Sequence, residues 1–142
     1  MSDRESIDGL LARYAMAVGN KDVDAFVALY DEEVQVFDMW ARWSYDGIDE
    51  WRAMAAEWFG SLGDEKVAVE FQDVDKIVGD GVAAAHAVMT IKGLSAEGEE
   101  LRAMNNRLTW ALSKTPDGMW KVVHEHTSAP IDFETSKVML QK

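Results

Sequence analysis

Apolar positions recur at helical spacing in the first part of the chain and at strand spacing in most of the remainder. Ile7, Leu10, Leu11, Tyr14 and Val18 share one helical face, and Ser2 with Glu5 has the spacing of a capping box ahead of them. Gly19-Asn20 stops that helix. A second, short helix follows, capped by Asp22 or Asp24 and burying Val23, Phe26, Val27 and Tyr30. After the acidic break Asp31-Glu32-Glu33, the run Val34 to Met39 reads as a strand with Val34, Val36 and Asp38 on one face. Trp40 to Tyr45 has no period and reads as an aromatic loop. Asp46-Gly47 is a turn, and Asp49 caps a third helix whose stripe is Trp51, Met54, Ala55, Trp58, Phe59 and Leu62.

Beyond Gly63-Asp64 the pattern becomes strand-like. Val67 to Phe71 and Val74 to Val78 read as two short strands or one bent strand with a bulge near Asp73. Val82 to Ile91, Leu101 to Lys114 and the segment from Trp120 are further strands, separated by Gly79-Asp80-Gly81, a Gly93 to Gly98 loop and Pro116-Asp117-Gly118. Helices followed by an antiparallel meander give an α+β class, with the helices covering one face of the sheet. No linker or internal repeat is visible, so residues 1–142 read as one domain.

Strict alternation sets Trp120, Val122, His124, His126 and Ser128 on one face of the last strand. It likewise groups His86 with Ala84, Val88 and Thr90, and Arg107 with Asn105, Thr109 and Ala111. The expectation is a pocket face bearing His86, Arg107, His124 and His126, with Glu125 turned away. The opposite face, with Met89, Leu108 and Trp110, would then be a large exposed apolar patch. A homodimer packed sheet to sheet would cover it.

Composition narrows the function classes. A net charge of −12 without clustered Lys or Arg argues against nucleic acid. The absence of cysteine removes disulfides, thiolate zinc sites and thiol nucleophiles. No signal peptide or membrane-length apolar run is present, so a soluble, cytoplasmic protein is the default expectation. Six tryptophans imply large apolar surfaces that are buried, paired or lining a cavity.

The motifs resemble a known family. Val34, Val36, Phe37 and Asp38, then Gly47, then Gly118, Trp120, Lys121, Val122, Val123, His124, His126, Ser128 and Pro130 look like the SnoaL-like branch of the nuclear transport factor 2 superfamily. The resemblance implies a cone, in which a curved antiparallel sheet wraps around helices with a pocket at the open end. It also implies dimers through the sheet's outer face. Its members include ketosteroid isomerases, polyketide cyclases, dehydratases and hydrolases, besides proteins that only bind or assemble, and the fold alone does not choose among them.

Asp38 lies near the position where an isomerase of this superfamily carries its catalytic aspartate. A carboxylate there needs partial desolvation and donors for the developing negative charge. In this reading Arg107 and His124 complete the catalytic set. Tyr14, Trp40, Trp43, Trp58, His86 and His126 bind the substrate. The alternative for Asp38 is an ion pair with Arg107 in the pocket wall. His124 and His126, with His86, have spacing that could ligate a metal. Without a carboxylate beside them, hydrogen-bonded histidines are the preferred reading, and neither metal nor cofactor is expected. The function expected is a cofactor-free acid–base enzyme of isomerase, cyclase, dehydratase or hydrolase type. Its substrate would be a small hydrophobic carbonyl or cyclic compound. The rival is a non-catalytic dimeric module that holds a carboxylate ligand on Arg107.

Overall fold

The computed structural model describes residues 1–142. Helix α1 (Asp3–Gly19) begins with the capping box its sequence predicts: the Ser2 hydroxyl accepts the Glu5 N–H, and the Glu5 carboxylate accepts the Ser2 N–H. Helix α2 (Val23–Val27) is capped by Asp22, which accepts the Ala25 N–H. Strand β1 (Tyr30–Phe37) starts four residues ahead of Val34, because the acidic residues 31–33 lie along the strand with their charges toward water. A two-residue strand β2 (Tyr45–Asp46) forms where the expected aromatic loop meets the expected Asp46-Gly47 turn. Helix α3 (Ile48–Ser61) follows Gly47, whose φ of 89° supplies the turn, and Asp49 is not its cap.

Strands β3 (Lys66–Val78), β4 (Val82–Leu94), β5 (Glu100–Lys114) and β6 (Trp120–Ser128) form the antiparallel meander. β3 is one long strand whose pairing with β4 slips between Gln72 and Asp75, where Asp73 takes a φ of +54°. The six-stranded sheet runs β2-β1-β6-β5-β4-β3 and is curved and unclosed. It is not wholly antiparallel: β1 pairs with β6 in parallel. Nothing local forces the antiparallel sense here, since α3 and three strands of the meander separate β1 from β6 in the chain.

The faces of the sheet are the reverse of those expected. Met89, Leu108, Trp110 and Leu112 are buried with Ile7, Leu10 and Tyr14 of α1 and with Trp51 and Phe59 of α3 in one hydrophobic core. His86 and Arg107 are on the other face, open to water. The reason is apolar burial: the helices cover the face that loses most from contact with water. The exposed apolar patch that motivated a homodimer therefore does not exist.

A second correction lies within β6. Ala111 pairs with His124 but Leu112 pairs with Val122, so Val123 is an extra residue, a β-bulge. The bulge switches the phase of the strand. Trp120 and Val122 point inward before it, and Glu125 and Thr127 point inward after it. His124 and His126 are thereby turned to the outer face. His124 donates its Nδ1 hydrogen to the Gln35 carbonyl at 2.7 Å, and Phe37 packs edge-on against both imidazoles.

At the centre of the core Phe26 meets four rings, those of Tyr14, Tyr30, Phe59 and Trp51, at centroid distances of 5.3, 5.3, 5.8 and 5.9 Å. It joins α1, α2, β1 and α3 in a single contact set. Phe26→Ala is expected to cost about 3–5 kcal/mol, read as a lower denaturant midpoint with an unchanged slope.

Candidate functional site

The inner face of β4, β5 and β6 does not pack completely against the helices. It leaves a cavity of about 450 Å³. Its sheet side is Met89, Ile91, Met104, Asn106, Glu125 and Thr127. Tyr14 of α1 and Trp51, Met54 and Trp58 of α3 face them, and Asp38, Trp40 and Tyr45 complete the wall. An apolar cleft with few convergent polar groups is the usual form of a small-molecule site. The charged lining residues are Asp38, Glu57 and Glu125, and no Lys, Arg or His lines the cavity.

Glu125 is the most unusual of these residues. It is 1% exposed, surrounded by core, yet it carries a carboxyl group. Two donors fix it: the Tyr30 hydroxyl at 2.6 Å and the Trp110 indole N–H at 2.8 Å. Both bond to Oε1, so Oε2 is the oxygen left free to meet a ligand. Burial raises its pKa from the ordinary 4.5 to about 7; the two hydrogen bonds oppose the rise and the nearby Asp38 charge adds to it. Near neutrality the group is therefore poised between donor and acceptor.

Asp38 follows the end of β1 and continues its inward phase. Burial raises its pKa, while hydrogen bonding from Thr127 and from the Trp40 and Met39 N–H groups works in the opposite direction. Thr127 is the link between the two carboxyl residues. Its hydroxyl accepts the Met39 N–H at 2.9 Å and so directs its own hydrogen to Asp38 Oδ1 at 3.0 Å. Tyr14 lines the same cavity, and burial together with the charges of Glu125 and Asp38 raises its pKa well above the ordinary range, keeping the phenol protonated. Asn106 contributes a further polar group. Its amide nitrogen reaches Met39 Sδ at 3.6 Å, and its buried Oδ1 has no partner in the chain.

Of the residues selected from sequence, the structure brings Tyr14, Asp38, Trp40 and Trp58 together around the cavity. It places His86, Arg107 and His124 outside. Arg107 bonds Ser128 Oγ at 3.1 Å, and no ion pair joins it to Asp38, because the sheet lies between them. A carboxylate ligand on Arg107 is thus not a property of this cavity. His126 and Trp43 line a separate, open groove outside it, where Trp43 is 97% exposed. No three His, Asp or Glu side chains stand close enough to share a metal ion. Glu125 escaped the sequence reading because β6 offers no apolar residue after Val123 to reveal the change of phase. The one available signal was the apolar Val123 standing out of phase with Trp120 and Val122.

The Glu125 pKa has a consequence for folding. Between about pH 4.5 and about pH 7 the folded chain holds a proton that the unfolded chain has lost. Stability from this group is complete below the lower value and declines as pH rises to the upper one, by about 3 kcal/mol at most. Glu125→Gln is expected to flatten that decline, measured as denaturant midpoints across pH 4 to 8.

Comparison with known proteins agrees with this architecture. No protein of curated function matches the chain. An NTF2-like protein of unknown function from Pseudomonas putida is 24% identical, with a TM-score of 0.86 and coverage of 100% of this chain and 98% of the other. An NTF2-like protein with a cystatin-like fold from Novosphingobium aromaticivorans is 21% identical, with a TM-score of 0.76 and coverage of 94% and 84%. Aln2 from a Streptomyces species is 15% identical, with a TM-score of 0.77 and coverage of 90% and 92%. At these identities the likeness concerns the fold. The SnoaL-like domain matches residues 7–132, nearly the whole chain, and on that match the chain belongs to the SnoaL-like family of the NTF2-like superfamily.

Proposed function

We propose that the chain is a cofactor-free acid–base enzyme that acts on a small hydrophobic carbonyl or cyclic substrate in the inner cavity. The observation that carries this reading is the placement of two carboxyl groups, Asp38 and Glu125, in one apolar cavity beside Tyr14. Burial raises both carboxyl pKa values, that of Glu125 to about 7, while hydrogen bonds from Thr127, Trp40 and Met39 oppose the rise at Asp38. Environments that separate two titratable groups in this way divide the roles of acid and base.

Asp38, whose charged form accepts hydrogen bonds from the Thr127 hydroxyl and the Trp40 and Met39 N–H groups, is the base. It removes a proton from carbon next to the substrate carbonyl, and the electron pair moves onto the carbonyl oxygen. The Tyr14 hydroxyl and the protonated Oε2 of Glu125 donate to that oxygen as its charge develops. Return of the proton from Asp38 to a different carbon completes an isomerisation. Attack of the enolate on a second carbonyl would complete a cyclisation. Ketosteroid isomerases use the same division between an aspartate base and a Tyr with a protonated acid. Here the acid is a glutamate delivered by the β6 bulge. Tyr30 and Trp110 position it and do not meet the substrate.

The all-acidic lining disfavours the rival reading, a module that binds carboxylates, because no cation faces the ligand. Self-association is part of the proposal on the family resemblance alone. The surface concerned is the outer sheet face with His86, Arg107 and His124. A single species of monomer mass in sedimentation at micromolar concentration would remove it.

Exchange of ketone α-hydrogens for deuterium, followed by NMR on 2-tetralone, tests the chemistry directly. Asp38→Asn should slow enzyme-dependent exchange by about 10²–10⁴-fold with near-native affinity. Retained exchange would reject Asp38 as the base. The exchange rate should follow a bell in pH, with its upper limb near pH 7 set by loss of the Glu125 proton. Arg107→Ala should leave both exchange and affinity at the native level, since its side chain is on the far side of the sheet.

A further inference from the structure

Every charged residue that lines the inner cavity is acidic. Glu125 and Asp38 lie within it, and Glu57 stands where the wall opens to water. Glu57 shares one row of α3 with Met54 and Ser61, three and four residues away, and all three line the cavity. Its carboxylate forms no ion pair within the chain. Burial raises the pKa of Tyr45, and the charges of Asp38 and Glu57 add to the rise while Arg42 opposes it. Both carboxylates therefore stand near the Tyr45 hydroxyl. Arg42, the cation in that set, is paired with Glu50 at 2.7 Å and does not line the cavity.

The polar atoms that the chain leaves unused in this cavity are rich in acceptors. The Glu57 carboxylate and Glu125 Oε2 are two, and Asn106, 5% exposed, adds an Oδ1 with no partner in the chain. Around them stand the rings of Trp40, Trp51 and Trp58. An indole face is the aromatic surface that attracts a cation most strongly. The wall already carries one: the Arg42 guanidinium lies 4.5 Å from the centre of the Tyr45 ring. Carboxylates in an apolar wall are costly without a positive partner, and no residue of the lining supplies one. The net charge of −12 extends the same attraction to long range.

We propose that the ligand of the inner cavity is a cation: a hydrophobic ketone that bears a protonated amine. Its ammonium group is held at the open side by Glu57 and by the rings of Trp40 and Trp58. Its apolar, carbonyl-bearing body reaches inward toward Tyr14. Glu57 is thus a specificity-determining residue that selects the charge of the ligand and takes no part in proton transfer. Acidic lining, indole walls and unused acceptors together carry the argument, since an ammonium group has only donors to offer. The proposal rests on the inner cavity being the substrate site, and it deepens that reading by giving the substrate its charge.

Three methyl ketones of one shape test it: 4-(aminomethyl)acetophenone, 4-(hydroxymethyl)acetophenone and 4-acetylbenzoate, which are cationic, neutral and anionic near neutral pH. Affinities are measured by calorimetry on the native chain and on Glu57→Gln and Trp40→Leu. Both positions reach solvent, so neither change disturbs the core. The expected result is that the native chain binds the amine about tenfold more tightly than the alcohol, and the carboxylate most weakly. Each variant should cut the preference for the amine to about threefold or less. No preference in the native chain overturns the proposal. A preference that survives both variants and fades only at high salt also overturns it, because it then belongs to the net charge of the whole chain. Deuterium exchange separates this proposal from the chemistry. Exchange of the ketones without a preference for the amine rejects the cationic ligand alone. A preference that Glu57→Gln removes, without exchange, rejects the chemistry and keeps the cationic ligand. If none of the three binds, both fall.

Discussion

The buried carboxyl group of Glu125 is the constraint around which the cavity is arranged. A carboxyl buried at 1% exposure is tolerated only with partners, and the core provides two in the Tyr30 hydroxyl and the Trp110 indole. Both partners come from elements that also build the core. Tyr30 opens β1 and stacks near Phe26 and Trp51, and Trp110 lies opposite Glu125 in the β5–β6 register. Removal of either donor would leave a buried oxygen less satisfied and push the Glu125 pKa higher. The polar pair and the aromatic core therefore stabilise one another.

The same arrangement explains why one residue inserted in β6 matters. Without the extra residue at Val123, strict alternation from Trp120 would put His124 and His126 inside and Glu125 outside. With it, the inner face receives Glu125 and Thr127. Thr127 then hands Asp38 a hydrogen bond while anchoring the Met39 backbone. A backbone irregularity thus determines the charge of the cavity. The result is an aromatic space whose charged lining residues are all acidic.

Polar residues of both charge signs are sorted by the sheet. Acidic groups are held inside, where burial raises their pKa values. Arg107, His86, His124 and His126 are held outside, on a face with abundant water. The loop from Met39 to Trp43 lies where the inner and outer spaces meet. Its aromatic residues divide accordingly: Trp40 touches both spaces and Trp43 only the outer one.

Much of the fold was legible in the chain itself. The Ser2 capping box, the stripe of Trp51, Ala55 and Phe59, the slip near Asp73 and the four long strands follow from local spacing and turn chemistry, which short-range forces decide. Tyr14 and Asp38 could be selected because each sits on the apolar phase of its own element. Three things could not be read this way. The parallel pairing of β1 with β6 joins segments far apart in the chain, and the choice of covered face depends on which surface the helices lose least by meeting. The inward turn of Glu125 depends on how β6 fits against β5 and β1, because a bulge leaves no period in a stretch of polar residues. The sequence by itself determined the elements and their periods. Only the tertiary structure decided which side of each strand met the core, because that choice is made by burial and pairing between distant segments.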